Sequence, residues 1–400
     1  MKQALRILCW LIAVPCALLA ALIVLPAPSY SLWMLAVGVS EWSVWLFGAG
    51  LLGAACGGAA LFMERSSKAA RVGVALSLWT IGCACVPIVT AYQVAAREGV
   101  RLSWSRYLFG PEQAAPGVTL DEQRDVEFAN PAGHSLRLDV YQPQRLINNE
   151  QPANNQTNSL LPAVIVLHGG AWSRGVKSDF VEYDRWLAAG GRVVFDAEYR
   201  LANSTQRFPA QLADVNSAII WVKSHAAQYR VDPARIALLG RSAGGQLALL
   251  AAYTASDSAY QSAADLTQDT RVRAVISFYG PTDLAWDYAH PGRPDVIDTP
   301  HTLENFLGGS PATAPQAYAA ASPIEHVNAQ SPPTLFLHGG HDQLVLAANV
   351  ERIMPKLAAA HVPYVYVYLP WANHGCDYNF NGWSSQIIQA KLSQFLDTYL

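Results

Sequence analysis

The sequence predicts an α/β protein: a mostly parallel central sheet with helices on both faces, preceded by three membrane-spanning helices. Three observations predict it. Residues 1–100 hold three apolar stretches of bilayer length with no charge in their interiors. From residue 162 onward, short continuous apolar runs alternate with helix-period segments, as strands of a parallel sheet covered on both faces do. One of those runs, residues 236–239, leads directly into Gly240-Arg241-Ser242-Ala243-Gly244 and then into a helix-forming stretch at 246–253. That is the strand–turn–helix setting in which a G-x-S-x-G pattern lifts a serine hydroxyl clear of a sheet.

The chain has 400 residues, enough for two or three structural units. Charged residues make up 14%, against about 25% in ordinary globular chains. The deficit is local. Residues 1–100 contain six Lys/Arg and three Asp/Glu, and the remaining 300 contain 21 and 27. A mildly acidic large portion has no basic footprint for nucleic acid. Five of the six cysteines (Cys9, Cys16, Cys56, Cys83 and Cys85) lie in the apolar first hundred residues, and only Cys376 lies beyond. One cysteine cannot make an intradomain disulfide. With no C-x-x-C pair and no H-E-x-x-H, neither a metal site nor a cofactor is expected.

The membrane region is assigned to residues 1–96, with spans at about 5–25, 42–63 and 72–94. Trp33, Trp42, Trp45 and Tyr92 sit near span ends, where an interfacial aromatic belt belongs. Lys2 and Arg6 precede the first span, residues 26–41 contain no Lys or Arg, and Arg65, Lys68 and Arg71 follow the second. The positive-inside rule then puts the N-terminus in the cytoplasm and, after three crossings, the large domain on the extracytoplasmic side. A rival reading makes the first span a cleaved signal peptide; its apolar core exceeds the usual ~7–15 residues, which favours an uncleaved anchor. Gly53-x-x-x-Gly57 either packs helices closely or reflects how common glycine is in membrane helices.

Residues 97–123 read as a juxtamembrane linker with one short amphipathic piece at 104–109. The large domain is assigned to 124–400. Period-two alternation at 126–128 and 136–141 predicts two antiparallel strands joined through Asn130-Pro131-Ala132-Gly133. The Asn/Gln-rich tract 142–159 cannot bury apolar area and predicts a disordered surface loop. Asn155 and Asn203 head glycosylation-type tripeptides. Then come a strand at 163–167, a helix at 179–189 with Asp179 as N-cap, a strand at 193–197 and a long helix at 209–229 opened by Pro209. After the nucleophile strand and its helix follow a strand at 272–278, an insertion at 281–331 with no sheet period, a strand at 334–337, a helix at 344–360, a strand at 364–369 and a closing helix at 385–400.

Serine is a poor nucleophile unless a base takes its proton, and that base needs an orienting acid. Asp342 follows the strand 334–337 and His374 follows the strand 364–369. Parallel strands bring their C-terminal loops to one edge, so both emerge beside Ser242, in the order Ser, Asp, His. Asp342 also fits a helix N-cap, and His168, His338 and His341 are rival bases. Leu167-His168-Gly169-Gly170-Ala171-Trp172 follows the first parallel strand. Its glycines allow backbone N–H groups to face a substrate oxyanion, with the N–H of Gly169 or Gly170 partnered by that of Ala243. Trp172, beside this loop, and Trp371, just before His374, are expected substrate contacts.

Those motifs, with Tyr199-Arg200-Leu201, Phe208-Pro209-Ala210, Tyr279-Gly280-Pro281-Thr282-Asp283 and Ala372-Asn373-His374-Gly375, together resemble the α/β-hydrolase esterases and lipases near hormone-sensitive lipase and the feruloyl-esterase-like group. The resemblance covers about residues 120–400. It implies the α/β-hydrolase fold, a Ser242–Asp342–His374 triad, a lid-like insertion at 281–331 shaping the acyl pocket, and a serine carboxylesterase or lipase acting on small-molecule or lipid esters. Amide hydrolysis, peptide hydrolysis or acyl transfer on the same triad is the alternative, and a catalytically dead membrane scaffold a third reading. Two departures stand out. Ala171 replaces a glycine frequent in the lipase-like branch, which bears on whether bulky alcohols are accepted. Three membrane spans are not general in the family, although isoprenylcysteine methylesterases pair membrane helices with a similar HGGAW motif.

Overall fold

The computed structural model of the protein describes residues 1–110, 118–145, 160–260 and 268–400. Its N-terminal region contains α1 (Lys2–Val24), α2 (Tyr30–Glu41), α3 (Ser43–Met63) and α4 (Lys68–Glu98). Of these, α1, α3 and α4 are long and apolar enough to cross a membrane. They pack through small residues. A β-carbon at Gly53 would lie 2.6 Å from the Ser77 hydroxyl, and one at Gly57 would lie 2.6 Å from a Val74 methyl. The glycines therefore set the close approach of α3 to α4.

The fourth helix, α2, lies where the sequence reading has only a connection. Ser29 caps it, its hydroxyl accepting from the Leu32 amide at 3.4 Å. Trp33, Ala36, Val37, Ser40 and Glu41 are buried, while Tyr30, Met34 and Leu35 are half-exposed. The linker expectation is also corrected. α5 (Trp104–Phe109) is present, but α4 runs on to Glu98, and β1 (Val118–Ala129) already begins within the span assigned to the linker. Ala91, Val94 and Ala95 of α4 are buried in the same cluster as Tyr107, Ile387 and Ile388, so the helical region and the large domain share packing.

β1 pairs antiparallel with β2 (Leu136–Arg145), so residues 142–145 are strand rather than loop, and the rest of the Asn/Gln-rich tract lies outside the described residues. Next come β3 (Leu161–Leu167), α6 (Val181–Ala189), β4 (Val193–Ala197), α7 (Ala210–Ser224), β5 (Val231–Arg241) and α8 (Ala243–Thr254). β6 (Ala274–Phe278) precedes three short helices in the insertion, α9 (Leu284–Ala289), α10 (Thr299–Leu307) and α11 (Pro315–Ala321). β7 (Thr334–Gly339), α12 (Ala348–Ala359), β8 (Tyr364–Leu369) and α13 (Trp383–Tyr399) complete the chain. The strands form one eight-stranded sheet in the order β1-β2-β4-β3-β5-β6-β7-β8, parallel from β4 through β8 and antiparallel at β1 and β2.

Three local expectations are corrected. α6 starts at Val181 with Phe180 at the N-cap, and Asp179 instead accepts from the Val176 amide at 3.4 Å. α7 ends at Ser224, five residues short of the predicted Tyr229. The segment after Asp342 enters α12 only at Ala348, so Asp342 does not cap that helix. The central strands are buried on both faces, which explains their unbroken apolar runs.

Candidate active site

The loops that leave β3, β5, β7 and β8 meet at one edge of the sheet. At the end of β5, Ser242 adopts φ 54° and ψ −119°, a sparsely populated conformation for a residue with a β-carbon. The surroundings hold it there. Its amide donates to the Phe278 carbonyl at 2.8 Å and its carbonyl accepts from the Gln246 amide at 3.1 Å. A β-carbon at Gly240 would collide with the Gly244 carbonyl, and one at Gly244 with the carbonyls of Leu167 and His168. Only glycine lets the turn close against β3.

Ser242 Oγ lies 2.9 Å from His374 Nε2, and His374 Nδ1 lies 2.7 Å from Asp342 Oδ2. The other carboxylate oxygen of Asp342 accepts from the amides of Leu344 and Val345, each at 2.9 Å, so the carboxylate is fixed from both sides. Burial pushes the Asp342 carboxyl up, but the charge of His374 and hydrogen bonds from His338 and His374 outweigh it and hold it well below the usual carboxylate range. The rival histidines sit elsewhere. His168 stacks on Tyr199 at 4.2 Å, and burial lowers its pKa. His341 is exposed. His338 is fully buried, with Nε2 2.9 Å from the Val345 carbonyl and 3.4 Å from Asp342 Oδ2, behind the carboxylate rather than beside the serine.

The β3 loop passes directly over the serine. A β-carbon on Gly169 would lie 3.3 Å from the Ser242 β-carbon, and Gly170, Ala171 and Trp172 all have positive φ, at 112°, 52° and 60°. This turns the loop back over the N-terminus of α8, where Ala243 is the first helical residue. Trp172 Nε1 donates to Gln246 Oε1 at 2.8 Å, Gln246 Nε2 donates to the Ala321 carbonyl at 2.7 Å, and Trp172 stacks on Phe306 at 4.4 Å. Loop, helix and insertion are thereby tied into one unit.

A cavity of about 310 Å³ opens beside these groups, lined by Gly169, Gly170, Trp172, Ser242, Ala243 and His374. The insertion contributes Leu284, Val296, Ile297 and Leu303. Tyr30 and Trp33 of α2 add to the lining, as do Phe180, Tyr279, Leu344 and Tyr378. Trp371 is corrected: it is buried in the cluster with Trp383 and Ile387 and does not line the cavity. Proximity to His374 in sequence says nothing of direction, and this indole points into the core.

Sequence reasoning assigned no role to four further residues. Arg241, buried beside Ser242, donates through Nε to Asp377 Oδ2 at 2.6 Å and stacks on Phe180 at 3.8 Å. Tyr279 donates to Asp377 Oδ1 at 2.6 Å and packs its ring 4.3 Å from that of His374. Asp377 thus ties the end of β5 to the loop that bears His374 through a buried ion pair. Glu41, at the end of α2, accepts from the Ser384 hydroxyl at 2.7 Å. Its carbonyl accepts from Tyr107 at 2.7 Å and Asn379 at 3.1 Å. Burial pushes the Glu41 carboxyl up to about 8, against the hydrogen bond from Ser384. A helical period in residues 33–40 was the one sequence signal that could have exposed α2.

A mostly parallel sheet with a strained serine at the β5–α8 turn defines the α/β-hydrolase class. Residues 150–357, just over half of the chain, match the family described as BD-FAE, and the chain belongs to that family of α/β-hydrolase esterases and lipases. A probable carboxylic ester hydrolase of Mycobacterium tuberculosis, LipM, is 35% identical over 221 residues, which are 54% of this chain and 49% of its own. The carboxylesterase NlhH of the same species is 39% identical over 165 residues, 40% of this chain and 47% of its own. The chain spans about half the length of the curated relatives it matches. Among solved structures, the butyrate-bound esterase Est2 of Thermogutta terrifontis superposes with a TM-score of 0.53 at 26% identity, covering 71% of this chain and 94% of that one. A truncated carbohydrate esterase from gut microbiota reaches a TM-score of 0.56 at 23% identity over 72% of this chain and 100% of its own, a likeness of fold.

Proposed function

We propose that the protein is a membrane-anchored serine carboxylesterase whose triad is Ser242, His374 and Asp342. The observation that carries this reading is the unbroken series of short contacts from Ser242 Oγ to His374 to Asp342 at the edge of an apolar cavity. With Nδ1–H donated to Asp342, His374 Nε2 accepts the serine proton as Oγ attacks the ester carbonyl. The N–H groups of Ala243 and of Gly169 or Gly170 receive the oxyanion, and each such donor lowers the barrier by about 3 kcal/mol. His374 returns the proton to the departing alcohol. Water, activated by the same base, then releases the acid and restores the serine. Trp172 walls the acyl site.

The long apolar helices α1, α3 and α4 support anchoring. The basic residues at the start of α1 and between α3 and α4 support a cytoplasmic N-terminus with the hydrolase domain outside. One experiment tests both parts. Intact cells expressing the full chain are treated with a membrane-impermeant fluorophosphonate, and p-nitrophenyl butyrate hydrolysis is assayed in membranes. Labelling at Ser242 and loss of hydrolysis in Ser242→Ala are expected. Substantial residual activity in the variant would sink the triad, and labelling only after lysis would reverse the topology.

A further inference from the structure

The cavity beside Ser242 is not built by the hydrolase domain alone. Tyr30 and Trp33 of α2 line it, and α2 belongs to the N-terminal region. Trp33 is buried against Val296 of the insertion and packs with Ala36 and Val37, with Leu344 at the edge. Leu344 follows Asp342 by two residues, and its amide donates to the Asp342 carboxylate. The far end of α2 is fastened beside the base as well, since Asn373, next to His374, donates to the Ser40 hydroxyl at 3.4 Å.

The position of α2 relative to the spans limits where the cavity can lie. Tyr30 follows the last residue of α1 by six residues, a reach of at most about 20 Å even when fully extended. Its C-terminal end is separated from α3 by Trp42 alone. The cavity wall is therefore held close to the ends of two candidate spans. The outward face of α2 carries Tyr30, Met34 and Leu35, all half-exposed, and its one ionisable carboxyl, Glu41, is buried instead. A helix with one face docked on a domain and an apolar opposite face has the character of an interfacial helix. Trp42, Trp45, Trp104 and Phe109 add exposed aromatic surface near the same helix ends.

Tyr30 and Tyr378 both line the cavity and are both about half-exposed, so both rings stand where it opens outward. At about 310 Å³ the cavity is small for a ligand pocket. A long chain would fill it and continue out past the mouth, where the apolar face of α2 lies.

We infer that the substrate is a bilayer-resident ester with a long acyl or alkyl chain, admitted between Tyr30 and Tyr378, and that Tyr30 and Trp33 determine chain-length preference. This rests on the serine-esterase reading. The full-length protein is reconstituted in phosphatidylcholine vesicles and assayed with p-nitrophenyl acetate from water and p-nitrophenyl palmitate dissolved in the bilayer. The readout is the ratio of kcat/KM for palmitate to that for acetate. Tyr30→Ala and Trp33→Ala are expected to lower it about tenfold, with Trp33→Phe retaining most of it. An unchanged ratio in both alanine variants overturns the inference. Tyr30→Ala, at a half-exposed position, carries the test should Trp33→Ala fail to accumulate. Wild-type protein that cleaves acetate but not palmitate overturns the substrate class and leaves the esterase reading standing. Wild-type protein that cleaves neither removes both.

Discussion

Two walls line the cavity, and they are held in different ways. The wall bearing Ser242 is fixed by polar geometry and strained backbone: positive φ at Gly170, Ala171, Trp172 and Ser242, a histidine bridged to a carboxylate, and Arg241 paired with Asp377 beneath. The wall formed by α2 and Val296 is fixed near the cavity by packing, with its polar attachments at the far end, at Ser40 and Glu41. On the proposed reading, the difference follows from what each wall would have to do. Proton transfer and oxyanion binding fail with displacements of about 1 Å, so the first wall is over-determined. A wall that accommodates an alkyl chain needs only shape, and packing supplies that at little cost to mobility. Substitutions should therefore separate the walls: on the first they affect rate or folding steeply, and on the second they affect preference and conditional stability.

The largest effect on the polar wall, short of removing the nucleophile, is expected from Asp342→Asn. The amide keeps an oxygen for the Leu344 and Val345 amides, so the loop holds. Its NH₂ would meet His374 Nδ1 where a carboxylate oxygen now accepts, and the imidazole loses the tautomer needed at Nε2. A loss in kcat of about 10³- to 10⁴-fold on p-nitrophenyl butyrate is expected, with KM little changed. Activity within tenfold of wild type would mean that this wall's chemistry does not pass through Asp342.

Gly244→Ala tests the same wall through folding. The added methyl meets the carbonyls of Leu167 and His168, both in backbone that cannot yield without moving β3. A destabilisation of about 3 kcal/mol or more is expected, read from thermal unfolding of the detergent-solubilised chain. Val296→Ala on the other wall removes only apolar area and should cost about 1.5 kcal/mol. Equal losses would erase the contrast between the walls.

That contrast also explains what was legible in the sequence. Ser242, Asp342 and His374 could be brought together on paper because parallel strands deliver their C-terminal loops to one edge, and each residue lies within a few positions of the end of an apolar run. The glycines of the β3 loop were legible for a related reason, since close backbone approach leaves few residue choices. Packing leaves a weaker trace. The twelve residues of α2 are almost uncharged and lie between longer apolar stretches, so they read as a connection. Asp377 was invisible because its partner Arg241 lies 136 positions away, and an ion pair at that separation has no local pattern. Trp371 misled because closeness to His374 in the chain fixes no side-chain direction.

The last expected effect concerns how the apolar wall is tied down, and it appears only when pH is varied. Glu41 is buried at the end of α2, facing Ser384, Tyr107, Asp377 and the Gly382 backbone, and one carboxyl oxygen has no hydrogen-bond partner among the described residues. Burial raises its pKa to about 8 in the folded protein, whereas the unfolded chain has an ordinary value near 4.3. Between those values the folded state keeps a proton that the unfolded state has lost. Stability contributed by this group is therefore fully present below the unfolded pKa and falls as pH rises toward about 8, by at most about 1.4 kcal/mol per pH unit. Glu41→Gln keeps an acceptor for Ser384 and removes the titration. Thermal unfolding of both proteins at pH 5, 7 and 9 should show the variant gaining on wild type as pH rises. A difference between the two that stays constant across that range would mean that Glu41 is charged or solvated in the folded protein. The α2 wall would then be fastened as firmly at alkaline pH as the wall that carries the serine.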